Sequence, residues 1–352
     1  MNTTESGHFF YRGLDSFRGI GILWIIYCHY VPYNNFFRFG WISLEVFFVL
    51  SGFLITKVLL YSVNRPHFFK NFYARRVLRI FPIYYLFITL SFLIIFLFTK
   101  EESSLYLKNN FGYYYAYLHN FLFVFDGLEP ENYLTHLWSL AMEEQFYFLW
   151  PLVIYFVKDV KKLRKILLVS IILVLITRIV VWWNWGERFE VYHCNTFTRI
   201  DTIAFGCLLG CGFSYKELSK TVRIIILFLC IAVFPAGVIL YDNYFFTNPF
   251  FCTIGYTAIS ILSIGMIEYF ISNDNRFLFL KHNQLLNYLG QISYGMYLVH
   301  IPIYFFISSR TSLPHPLNGV ASLGLSFLIA AVSYRFYEEP FLRLKRKFST
   351  TT

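Results

Sequence analysis

Reactive side chains first cluster in Leu14–Tyr30, LDSFRGIGILWIIYCHY, an apolar run that carries Asp15, Arg18 and His29. On a helix Arg18 and His29 stand three turns apart, roughly 16 Å, with only about 20° of residual rotation between them. Asp15 falls close to the same line. Ionisable groups in an apolar span are costly in lipid, so this stripe faces a bundle interior or a wet cavity. An imidazole held there is the starting candidate for an active-site residue.

Further groups of the same kind follow along the chain. Glu45 sits near one end of GWISLEVFFVLSGFLIT, where lipid contact would be expensive and a cavity is expected. Arg76 and Arg79 share a helix face with Arg75 beside them. Two readings fit these arginines: an anchor on lipid phosphates, or a guanidinium clamp for a phosphorylated cofactor. In HLWSLAMEEQFYFLWP, His136, Trp138, Ser139, Glu143 and Glu144 cluster at one helix end. The two adjacent carboxylates point about 100° apart, so at most one faces the cavity of His29. Trp182, Trp183 and Trp185 read as an interfacial belt or as a platform for sugar rings. Arg199 and Asp201 read as an intrahelical pair, and His300 as a hydrogen-bonded packing residue.

The elements that must position these groups are membrane helices. Of 352 residues, 57% are hydrophobic and 14% charged, too few charges to cover a soluble domain. Ten apolar segments are long enough to cross: 14–31, 41–61, 77–99, 137–157, 166–183, 199–215, 222–241, 250–271, 290–309 and 318–338. An aromatic run, Phe111 to Phe125, is broken by His119 and Asn120 and reads as interfacial or re-entrant. Of thirty Lys and Arg, 22 fall on one side of that topology, 5 on the other and three within or at the ends of helices. This asymmetry predicts an all-α polytopic protein with both termini cytoplasmic. It also accounts for the net charge of +10 without nucleic acid. The chain reads as one membrane domain, with 14–338 as its core and 339–352 as a basic cytoplasmic tail that anchors. No cleavable leader is expected, and the scattered cysteines read as buried thiols, with no metal implied.

Topology then places His29, Glu45, His136, Glu143, Arg199 and Asp201 in the outer half of the membrane. Arg76 and Arg79 lie at the inner face, with Arg18 between. A polar path from an arginine clamp to a histidine suits a long phosphorylated acyl carrier such as acyl-CoA.

At that point the chain resembles the acyltransferase 3 family of integral membrane acyltransferases. The likeness runs from LDSFRG to EEPF: Arg18 and His29 with ten residues between, RVLR at Arg76–Arg79, LEVFFVLSGFLIT, HLWSLAMEEQFYFLWP, RIDTIAFGCLLG and ISYGMYLVH. The resemblance implies about ten helices and transfer of an acyl group, most often acetyl from acetyl-CoA, to an extracytoplasmic acceptor. It implies a multi-pass protein of the bacterial cytoplasmic membrane acting on a surface polysaccharide such as O-antigen, or on a lipid-linked glycan. Some relatives carry a C-terminal SGNH hydrolase-like domain; the expectation here is the stand-alone form. On this reading His29 is catalytic, oriented by Glu143 or else by Asp201, and Arg18 contacts the pantetheine arm or developing charge. Arg75, Arg76 and Arg79 bind the donor, while Glu45, His136, Trp138, Trp185 and Arg199 serve the acceptor. Rival readings are acylation of a small hydroxylated metabolite, a lipid-linked sugar flippase, and a haem protein using pairs among His29, His119, His136 and His300.

Overall fold

All ten predicted segments fold as helices, because a span in lipid can satisfy its backbone N–H and C=O groups only within itself. The computed structural model describes residues 13–30, 37–98, 102–127, 133–186, 188–243, 247–271, 280 and 282–348. In chain order the helices are α1 (Leu14–Tyr30), α2 (Ile42–Ser62), α3 (Phe68–Phe98), α4 (Glu102–Tyr115), α5 (His119–Asp126), α6 (Trp138–Val157) and α7 (Val160–Trp185). They continue as α8 (Phe189–His193), α9 (Thr196–Gly210), α10 (Lys220–Tyr241), α11 (Tyr256–Ile271), α12 (Gln284–Arg310), α13 (His315–Ser333) and α14 (Glu339–Leu344). A short 3-10 turn, Lys345–Phe348, ends the described chain and packs on α3.

Seven helical stretches are long and apolar enough to cross a membrane, among the described residues. The three other predicted spans are α1, α6 and α9, and they carry the ionisable residues: Arg18, His29, Glu143, Glu144, Arg199 and Asp201. Of these, α9 sits inside. Nearly all of α9 is buried, whereas α10 turns Ile224, Phe228, Ile231 and Ile239 outward. An apolar exterior around a polar interior is what a lipid solvent requires.

Phe111 to Phe125, read as interfacial or re-entrant, is not among the helices long and apolar enough to cross a membrane. It is two helices, α4 and α5, with the chain reversing at Tyr117 (φ 54°). The break admits His119 and Asn120 to the interior, where both are fully buried. Asn120 donates to the carbonyl of Cys194 (3.1 Å) and to Thr196 Oγ1 (3.0 Å). Its own amide oxygen accepts from Gln145 Nε2 at 2.9 Å. The polar pair interrupts the run because it is internal glue. At the start of α7, Asp159 caps the helix, and the backbone N–H groups of Lys162 and Lys161 hold its carboxyl below the ordinary carboxylate value.

Two close crossings set the geometry of the interior. A Cβ on Gly206 would lie 1.9 Å from the carbonyl oxygen of Val49, and one on Gly52 would lie 2.1 Å from that of Ile203. Helices α2 and α9 therefore touch backbone to backbone. The same holds for α1 and α12: a Cβ on Gly290 would meet the Asp15 carbonyl at 1.9 Å, and one on Gly19 the Leu286 carbonyl at 2.2 Å. Both contacts are fixed backbone, so no side chain can move aside. Gly206→Val is expected to cost about 1–3 kcal/mol or more by overpacking. A detergent melting curve that matches the parent would count against this packing.

Candidate active site

The close approach of α1 and α12 brings their C-terminal halves together as well. His29 Nδ1 lies 2.9 Å from His300 Nε2, with the rings stacked at 5.0 Å. His300 Nδ1 lies 2.6 Å from the carbonyl oxygen of Tyr297. That carbonyl can only accept, so His300 Nδ1 carries a proton and its Nε2 is the lone pair. His29 Nδ1–H therefore donates to His300, which leaves His29 Nε2 as a free basic nitrogen. Tyr30 Oη adds a hydrogen bond to the His300 carbonyl at 3.0 Å. His300 is completely buried and His29 is exposed. His300 is hydrogen-bonded within the packed interior, as read from the sequence, and one of its two ring contacts is the His29 ring. The direct contact also argues against an iron held between these two rings.

Across from this pair lies a cavity of about 280 Å³ enclosed by α1, α2, α3, α6 and α12. Its cationic lining is Arg18, Arg75, Arg76, Arg79 and Lys345, and Glu143 is the one carboxylate among its described lining residues. Arg18 also pairs with Asp15 at 3.4 Å. The Arg76 guanidinium stands 5.0 Å over the Tyr147 ring. Tyr147 and Ser51, both in the lining, hydrogen-bond to each other. Apolar residues Ile22, Phe48, Leu54, Ile55 and Ile80 complete the lining, so the cavity combines cationic and apolar walls.

Tyr297 connects cavity and histidines. Its ring lines the cavity and its carbonyl holds His300. Its hydroxyl donates to the His136 carbonyl at 2.9 Å and meets Ser139 Oγ at 2.7 Å. His136 itself is buried 5.0 Å from the His300 ring, and its Nε2 donates to the carbonyl of Leu298 at 3.0 Å. It packs behind the pair.

Other expected roles move for identifiable reasons. Glu143 lines the arginine cavity, while the group that meets the His29 ring is His300. Asp201 pairs with Arg178 at 2.7 Å, with both side chains fully buried. Arg178 also donates to the carbonyls of Thr198 and Thr253 and to Thr257 Oγ1. Arg199 pairs with Glu45 on α2 and not with Asp201, since residues two apart on a helix point about 200° apart. Its guanidinium lies 3.5 Å from the centre of the Tyr256 ring, and Thr202 donates to Glu45 at 3.2 Å. Trp138 is buried against His193 at 4.6 Å and offers no open platform. Trp183 is 78% exposed, as a belt residue would be, and the Trp185 side chain lies outside the described residues.

Lys345 was hidden in what reads as an anchoring tail, and no local signal sets it apart from its basic neighbours. His300 had a signal: Gly19 precedes His29 by ten residues and Gly290 precedes His300 by the same ten.

A polar interior wrapped in outward-facing apolar helices, with a cation-lined cavity inside it, defines a multi-pass membrane protein. The family profile described as "Acyltransferase domain" matches residues 11–335, and the chain belongs to the acyltransferase 3 family of membrane acyltransferases. It is 30% identical to the O-acetyltransferase OatA of Staphylococcus aureus over 93% of this chain and 56% of that protein. It is 30% identical to the peptidoglycan O-acetyltransferase OatA of Listeria monocytogenes over 96% of this chain and 57% of that protein. YrhL of Bacillus subtilis is 29% identical over 95% and 55%, respectively. The chain thus spans little more than half the length of these relatives. None of these names supports the O-antigen acceptor expected from the sequence. No solved structure matches the chain.

Proposed function

We propose that this protein is an O-acetyltransferase that takes acetyl from acetyl-CoA at the cytoplasmic side and delivers it to a hydroxyl of a cell-wall glycan on the other side. The observation that carries the reading is a cavity lined by five cationic side chains whose wall residue Tyr297 also holds His300, the hydrogen-bond partner of His29. Phosphates sit among the guanidinium groups, which suit them in bidentate geometry. The pantetheine arm runs along the apolar wall past Tyr297 toward His29. The glycan acceptor is supported by the peptidoglycan O-acetyltransferase name of the Listeria relative. The cytoplasmic placement of the clamp rests on the 22 to 5 distribution of Lys and Arg across ten spans.

His29 serves the reaction with the Nε2 lone pair. As nucleophile it attacks the thioester carbonyl, the C–S bond breaks, and CoA leaves as thiolate from an acyl-imidazole. The acceptor hydroxyl then attacks that acyl carbon, the N–C bond breaks, and the hydroxyl proton passes to the CoA thiolate through the freed Nε2. As base Nε2 takes the hydroxyl proton while the hydroxyl oxygen attacks the thioester directly, the C–S bond breaks, and the proton passes on to the departing CoA thiolate. A burst of acetyl-enzyme on rapid mixing with acetyl-CoA alone separates the two. In both, His300 fixes the tautomer and orientation that put the lone pair forward.

Purified protein given acetyl-CoA and peptidoglycan fragments should yield O-acetylated product detectable by mass spectrometry. The Arg76→Ala, Arg79→Ala double variant should bind acetyl-CoA at least about tenfold more weakly, as loss of charged hydrogen bonds predicts. Unchanged affinity by calorimetry would return these arginines to a lipid-anchoring role.

A further inference from the structure

The basic run at the end of the chain is not uniform. Arg343 and Arg335 both pair with Glu339 at 2.8 Å, and Arg346 and Lys347 are exposed. Lys345 alone of the run turns inward to line the cavity shared with Arg18, Arg75, Arg76 and Arg79. It has no carboxylate partner among the described residues. With Glu143 the single acid in that lining, the cavity carries a nominal excess of four positive charges. A cluster of like charges this close repels itself unless a polyanion fills it.

We propose that Lys345 reads the phosphate farthest from the thioester, the ribose 3′-phosphate of the acyl-CoA donor, and so makes the site selective for acyl-CoA over shorter carriers. The inference rests on the donor reading above and extends it. The order of groups along the path supplies the assignment. The thioester must reach His29 at the C-terminal end of α1, with Arg18 about three turns back. The diphosphate at the other end of the pantetheine arm then falls among Arg75, Arg76 and Arg79 on α3. The turn Lys345–Phe348 packs on α3 from the chain terminus, so its lysine borders the nucleotide end of the ligand. A carrier with a single phosphodiester, or a CoA without its 3′-phosphate, leaves this lysine uncompensated. Charge on the ligand is thereby matched to charge on the cavity.

The test compares acetyl-CoA with 3′-dephospho-acetyl-CoA as donors for the full chain in detergent. The parent protein should show a KM about tenfold or more lower for acetyl-CoA, the scale of one charged phosphate contact. Lys345→Gln should narrow that ratio to about threefold or less, through a raised KM for acetyl-CoA, and Lys345→Arg should retain it. A parent that does not distinguish the donors overturns the inference, as does a Lys345→Gln variant that keeps the full preference. If neither donor supports transfer or binds, the acyl-CoA reading itself fails. That outcome is distinct from loss of discrimination alone.

Discussion

Alanine at position 29 is expected to lower acetyl transfer by about 10²–10⁴-fold, the range for loss of a positioned acid–base group. The protein should still fold, because the His29 ring is exposed and its removal opens no cavity in the interior. Detergent melting behaviour and membrane yield should therefore match the parent. Near-normal transfer by that variant would remove His29 from the mechanism. His300 gives the sharper measurement. His300→Ala deletes the acceptor for His29 Nδ1–H, frees the imidazole to rotate and to exchange tautomers, and should cost about tenfold or more in kcat. His300→Gln restores an acceptor near the same place and should recover part of the loss. A purely packing role predicts no such rescue, since glutamine is no better a shape match than other residues of its size. The pair separates positioning from bulk.

The residues that announced themselves in the sequence were those whose presence in an apolar run needs a reason. Arg18, Glu143, Arg199 and Asp201 were legible as internal because lipid would not tolerate them. Their partners were not legible. Arg199 sits two residues from Asp201, and proximity in sequence favoured that pair. Helical geometry instead sends Arg199 to Glu45 and Asp201 to Arg178, each on another helix. The same limit explains His300: a lone histidine in a span says nothing of its neighbour until helix packing is known. Only the matching ten-residue offsets from Gly19 and Gly290 encode that contact, since each glycine marks where α1 and α12 touch. Lys345 failed for the opposite reason. A lysine in a basic tail already has a sufficient explanation on an inner leaflet, so composition hides its place in the cavity lining.

Glu45 and Arg199 give the largest expected effect on stability, and the result also decides what they are for. Both side chains are essentially excluded from solvent, and the guanidinium lies against Tyr256 at 3.5 Å. Removing one partner strands the other charge in the interior, at a cost of about 3–5 kcal/mol. Glu45→Leu and Arg199→Met should each lower the melting temperature in detergent sharply and reduce membrane yield. The double variant removes both charges. Methionine keeps part of the contact with Tyr256, and leucine fills the site on α2, so it should regain most of the lost stability. Singles no worse than the double would mean that the pair contributes little and that the losses come from packing. Activity per folded molecule then separates structure from acceptor binding, the role the sequence pointed to. A folded double variant with parental KM for the glycan assigns Glu45 and Arg199 to the scaffold. A raised KM at unchanged stability would place them back among the groups that meet the acceptor.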